Sequence, residues 1–242
     1  MTRDDGDRVE DLFSPSLRDL TPAAANSAAR VLYAPVSHDP EVTRLCVSVL
    51  SETELHRADR FVAEGDKALF IQRRAFRRFC GALVLGSSRP LSDIVFNETA
   101  NGRPYLADLP DCWFSFSSCR FGFAGAWSAT HGVGVDVEDP MKDVEATELA
   151  RQFYSVAEAK AVDESGVLAS RQMFLQFWSL KEAALKSIGE GLPFGLDAFE
   201  FELVPEVRVV QAPPDHGGPE QFSAHIIEGT DSCAALVVRR LA

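Results

Sequence analysis

Apolar and polar positions change period several times along the chain, and each change marks an element. Val133, Val135 and Val137 alternate with Gly134, Asp136 and Glu138, the period-two pattern of a strand whose two faces differ. From about residue 66 to 85, Leu69, Phe70, Phe76 and Phe79 recur among Arg73, Arg74, Arg77 and Arg78, which predicts an amphipathic helix with a basic flank. A second long helix is expected over about residues 170–188, stopped by Gly189, and a shorter one near residues 144–152. Ser51 stands three residues before Glu54, and Ser155 three before Glu158, so each opens a helix with a reciprocal cap. Short strands are expected at residues 30–33, 45–50, 113–116, 121–127 and 132–138, then at 199–203, 207–211, 222–227 and 234–240. Asn101-Gly102-Arg103-Pro104 is a turn signal between them.

This order gives strands plus one long helix twice over, which is an α+β class. Residues 1–28 are acidic and then rich in Ala, Pro and Ser and read as a loose lead-in. Residues 29–130 form a first α+β half and residues 131–242 a second.

Composition narrows the chemistry. A net charge of −12 over 242 residues disfavours nucleic acid and long-range attraction to any anion. The five cysteines are scattered without a C-x-x-C pair, and the five histidines lack ligand spacing, against a disulfide framework or a zinc site. No apolar run approaches the ~20 residues of a membrane helix, and the acidic N-terminus is no secretory signal. The expected location is the cytoplasm.

Two segments carry candidate chemistry. Asp136 and Glu138 fall on one face of their strand, roughly 6.6 Å apart. Trp178, Glu182 and Lys186 recur every four residues and share one helix face. Each has a plain reading too: an acidic strand face, and an exposed ion pair beside a core tryptophan. No third glycine follows Gly132-x-Gly134, no G-x-S-x-G elbow exists and no Walker loop is present.

Taken together, Gly134-Val-Asp136-Val-Glu138 and Trp178-Ser-Leu-Lys181-Glu182-Ala-Ala-Leu-Lys186 resemble the paired markers of the Sfp-type 4'-phosphopantetheinyl transferases. Arg74-Ala-Phe-Arg77 and Asn101-Gly-Arg103-Pro-Tyr-Leu106 are similar to two further family segments, and the likeness covers about residues 30–200. The resemblance implies a pseudo-dimeric fold of two similar halves, a monomer, and an active site in the cleft between the halves. It implies that Asp136, Glu138 and Glu182 bind magnesium, and that Glu182 and Lys186 are catalytic. Arg74, Arg103, Ser117, Ser118, Lys181 and Lys186 are the implied contacts to coenzyme A, with Arg74 or Arg77 facing the nucleotide. The implied reaction moves the 4'-phosphopantetheine arm of coenzyme A onto a serine of an apo acyl or peptidyl carrier protein and releases adenosine 3',5'-bisphosphate. Fatty-acid, polyketide and non-ribosomal peptide carriers all remain open.

One block departs from the family. Phe114-Ser115-Phe116-Ser117-Ser118 stands where relatives carry F-N-x-S-H, so Ser115 replaces an asparagine and Ser118 a histidine. A hydroxyl cannot reproduce an imidazolium–phosphate contact. That change and the acidic net charge favour the competing reading, a family member that binds coenzyme A or carrier protein without transfer. The complete acidic set and Lys186 favour the transferase.

Overall fold

Caps and turns written into the sequence set most element boundaries. The computed structural model describes residues 13, 16–25, 27–86 and 89–241. The first half runs β1 (Arg18–Asp19), β2 (Arg30–Pro35), α1 (Pro40–Val47), α2 (Glu52–Ala58) and α3 (Glu64–Leu85). It continues with β3 (Phe96–Glu98), β4 (Pro104–Leu106), β5 (Trp113–Cys119) and β6 (Gly122–Ser128). The second half runs β7 (His131–Glu138), α4 (Ala146–Phe153), α5 (Val156–Glu164) and α6 (Val167–Ser187), then β8 (Glu200–Glu202), β9 (Arg208–Gln211), β10 (Phe222–Ile227) and β11 (Cys233–Arg240). Antiparallel sheets form in the orders β1-β2-β6-β5 and β10-β11-β7, with β3–β4 and β8–β9 as separate pairs. The protein is α+β, and the strands of each large sheet fall on one side of residues 129–130.

Both capping boxes form, Ser51 with Glu54 and Ser155 with Glu158. α3 ends on Gly86 at φ 58°, the left-handed conformation glycine takes without strain. Residues 45–50 are not a strand: they lie in α1 and the turn after it. Asp39 accepts a hydrogen bond from the Glu41 N–H and Pro40 begins the helix, a start signal that outweighs a short apolar run without period of its own. Of the segment expected to be loose, residues 1–12, 14, 15 and 26 lie outside the described residues. Phe13 is buried with its ring 5.6 Å from that of Phe76, and β1 adds to the edge of β2.

α3 packs Phe70, Phe76 and Phe79 with Phe114 and Phe123 of the first sheet. α6 packs Phe174, Phe177 and Leu180 with Ala235 and Val237 of the second. A third cluster joins the halves: Val31, Tyr33 and Ala124 meet Val133, Val135 and Leu236. Among the described residues no helix is long and apolar enough to cross a membrane.

The glycines of β7 decide how close α6 comes. A β-carbon on Gly134 would stand 1.8 Å from the Ala183 carbonyl oxygen, and one on Gly132 2.3 Å from that of Ser187. Only glycine permits this backbone-to-backbone approach. It lays the last two turns of α6 directly over Gly132 and Gly134 of β7, close enough for the Lys186 side chain to reach Asp136.

Candidate active site

Asp136 shares the α6-facing side of β7 with Gly134 and is 3% exposed. Its Oδ1 accepts from Lys186 Nζ at 2.6 Å and from Ser117 Oγ at 2.8 Å. The same ammonium lies 3.3 Å from the Val135 carbonyl and 3.8 Å from Glu182 Oε2. Burial pushes the Glu182 carboxyl above its ordinary range; Lys186 opposes the rise, while Asp136 and Glu138 add to it. Glu138, at the end of β7, holds Lys142 Nζ at 3.1 Å from Oε2, and that lysine sits 5.7 Å over the Trp178 ring.

A hard cation takes carboxylate oxygens, and the donor chemistry here fits one. Asp136 Oδ2 is buried without a hydrogen-bond partner, an uncompensated acceptor, and the nearby Glu182 is desolvated. The expected convergence of all three carboxylates is not what the side chains show. Among the described residues no group of three His, Cys, Asp or Glu is arranged to hold a metal ion. Asp136 and Glu138 are each turned to a lysine instead, as mutual repulsion between carboxylates favours.

A cavity of about 430 Å³ opens beside these groups. Glu182 and Lys186 of α6 line one wall, Ser117 and Ser118 of β5 another, and Arg73 and Arg77 of α3 a third. Arg103 lines it as well and stacks 4.3 Å over Trp113. The turn that carries Arg103 needs Gly102 at φ 83°, and Asn101 donates across to Glu190, after α6, at 3.0 Å. Burial pushes the Arg77 guanidinium down to about 10, and its nearest carboxylate, Glu98, stands 3.8 Å away. Arg77 stacks 5.0 Å from the Phe116 ring centroid. Arg73 Nη1 lies 3.4 Å from Ser118 Oγ.

Two residues expected at coenzyme A are placed elsewhere. Arg74 does not line the cavity; with Arg78 it turns to Glu54, Nε standing 3.8 Å from Oε1. The helical period explains this, because 73 and 77 share one face and 74 and 78 the next. The spacing separates the two pairs but does not say which of them meets the cavity. Lys181 is fully buried and paired with Glu158 at 2.8 Å, and it donates to the carbonyls of Leu196 and Phe199. Adjacent on a helix, Lys181 and Glu182 diverge by about 100°, so only Glu182 reaches the cavity. Glu138 stays off the cavity wall. Ser115 is buried and accepts from the Val135 N–H at 3.0 Å, a structural bond that its place in the motif did not announce. Lys142 carried no signal, since its partner Glu138 lies beyond a turn.

Residues 132–237 match the model of the 4'-phosphopantetheinyl transferase superfamily. The chain is 31% identical over 180 residues to 4'-phosphopantetheinyl transferase ffp of Bacillus subtilis, which covers 70% of this chain and 79% of that protein. It is 28% identical over 130 residues to 4'-phosphopantetheinyl transferase psf-1 of Bacillus pumilus, over 54% of each chain. To 4'-phosphopantetheinyl transferase Sfp of Bacillus subtilis (strain 168) it is 32% identical over 137 residues, 53% of this chain and 56% of that one. The match thus spans about half the length of psf-1 and of Sfp. The matched model takes in β7 with its acidic residues and α6 with Glu182 and Lys186, and on these similarities the chain belongs to the 4'-phosphopantetheinyl transferase family.

Proposed function

We propose that this protein transfers the 4'-phosphopantetheine arm of coenzyme A to a serine of an apo acyl or peptidyl carrier protein, releasing adenosine 3',5'-bisphosphate. The observation that carries the reading is the pairing of Glu182 and Lys186 at one wall of a cavity whose other walls present arginines, with Lys186 also bound to the buried Asp136 behind it. Arg73, Arg77 and Arg103 suit the phosphates of coenzyme A, since guanidinium groups stacked on aromatic rings keep their donors aimed and are weakly hydrated. They answer the objection raised by the acidic net charge, because a local basic wall acts at short range where the distant charges are screened. Arg73 beside Ser118 supplies a cation where the family's histidine is missing.

Asp136, Glu138 and Glu182 are the residues that would hold magnesium, which would offset charge on the diphosphate and the departing phosphate. Lys186 is placed to meet the diphosphate as a point charge. Glu182, its carboxyl raised by burial, is suited to take the proton of the attacking serine. The serine oxygen then bonds to the β-phosphorus as the phosphorus–oxygen bond to the α-phosphate breaks, and the nucleotide leaves with the electron pair.

The test is a transfer assay with coenzyme A, magnesium and a panel of unmodified carrier proteins, read by the mass gain of the phosphopantetheine arm. Wild type is expected to modify at least one carrier, and Glu182→Gln or a chelator to abolish the gain. Coenzyme A binding without modification across the panel would replace the transferase with the non-catalytic binder.

A further inference from the structure

Two lysines bracket the three carboxylates, one on each acidic residue of β7. Lys186 Nζ stands 2.6 Å from Asp136 Oδ1, and Lys142 Nζ 3.1 Å from Glu138 Oε2. They come from opposite sides: Lys186 from the last turn of α6, Lys142 from the loop after β7. Trp178 and Glu182 of α6 lie between them, with Lys142 over the Trp178 ring at 5.7 Å and Lys186 3.8 Å from Glu182. Both ammonium groups act electrostatically on the Glu182 carboxylate. The remaining charged pair nearby, Arg120 with Asp139 at 2.7 Å, is self-contained. Three acidic and two basic side chains therefore leave this end of β7 and α6 close to neutral.

We propose that Lys142 and Lys186 are tethered counter-cations that compete with a divalent cation for the carboxylates of Asp136 and Glu138, and so couple cation binding to binding of the diphosphate. The inference rests on the function proposed above. An ammonium and a divalent ion on the same carboxylate repel each other, and in a partly buried site that repulsion is poorly screened. A lysine side chain is long and flexible and meets anions as a point charge, so it can exchange a carboxylate for a phosphate oxygen without moving its backbone. Lys186 already lines the cavity. A diphosphate arriving there would draw ammonium charge off the carboxylates and favour the cation, and the coupling must be reciprocal. Lys142 is then a positioning residue that acts through Glu138.

The experiment titrates Mn2+, followed by the electron paramagnetic resonance of the free ion, into wild type, Lys142→Met, Lys186→Met and Lys142→Arg, with and without inorganic pyrophosphate. Both methionine variants should bind Mn2+ about tenfold more tightly than wild type, within the ordinary range of coupling between sites. Pyrophosphate should tighten Mn2+ binding to wild type more than to either variant, and Lys142→Arg, which keeps the charge, should match wild type. Unchanged or weaker Mn2+ binding in both methionine variants overturns the proposal, and tightening in Lys186→Met alone overturns the part played by Lys142. Lys142 is half-exposed, so its variant keeps the test valid if Lys186→Met folds poorly. Altered Mn2+ affinities without any carrier modification would remove the proposed reaction alone; unaltered affinities in an active transferase would remove this inference alone.

Discussion

Lys181 and Glu182 are neighbours in the chain with separate duties. Lys181 sits with Glu158 in a fully buried ion pair whose partners also bind the backbone at Leu196, Phe199 and Phe201. Removing one member leaves the other charge buried alone, so Lys181→Ala should lower the unfolding free energy by about 3–5 kcal/mol. Glu182 is the reverse case. Its carboxylate is desolvated beside two other acids, and Glu182→Gln should change stability by less than about 1 kcal/mol while abolishing transfer. Urea denaturation of the two variants beside the transfer assay checks the contrast. Comparable destabilisation by both would mean that Glu182 is a structural residue.

At the scale of elements, the strand–helix contact between β7 and α6 builds the site. Gly134→Ala puts a methyl 1.8 Å from a backbone oxygen, which no side-chain rotation relieves. It should cost at least about 1–3 kcal/mol by overpacking and push Glu182 and Lys186 off Asp136, so that activity falls further than stability. The junction of α2 with α3 has a pH signature. Burial by itself would raise the Glu54 carboxyl, but the Ser51 N–H and the Arg78 guanidinium hold it below the usual carboxylate range. A lowered folded pKa stabilises above the unfolded value near ~4.3 and loses that contribution as pH falls through the folded value. Glu54→Gln should therefore destabilise by about 2 kcal/mol at pH ~6 and by much less at pH ~2, measured as urea midpoints at the two pH values. Equal loss at both would exclude the ionic contribution.

Across the whole molecule, the two large sheets meet through side chains rather than through a continuous ladder. Val135 donates its N–H to Ser115 Oγ, and Ser117 donates to Asp136. On the far side Arg18 donates to the Gly229 carbonyl at 2.6 Å. The apolar cluster of Val31, Tyr33, Val133, Val135 and Leu236 fills the junction. Ser115→Ala would orphan a buried backbone donor, an effect of about 1–3 kcal/mol. Thermal and urea unfolding should show that loss without a new intermediate, because the shared cluster still couples the halves. Wild-type stability in Ser115→Ala would mean that water or another acceptor satisfies Val135.

The sequence by itself determined the α+β class, both capping boxes, the acidic face of β7 and the Trp178–Glu182–Lys186 face of α6. These rest on short-range rules of period and capping, which need no knowledge of what packs against an element. It also marked the basic stripe on α3 but not which arginines face the cavity. Arg73 and Arg77 differ from Arg74 and Arg78 only in the helix face that meets Ser118 and Phe116 rather than Glu54. Tertiary structure alone decided that choice, and it decided two further matters. Lys181 went into the core because Glu158 waits there to neutralise it. Asp136 and Glu138 face Lys186 and Lys142 because residues 50 and 4 positions away fold onto them, and electrostatic partnership depends on distance in space, not along the chain.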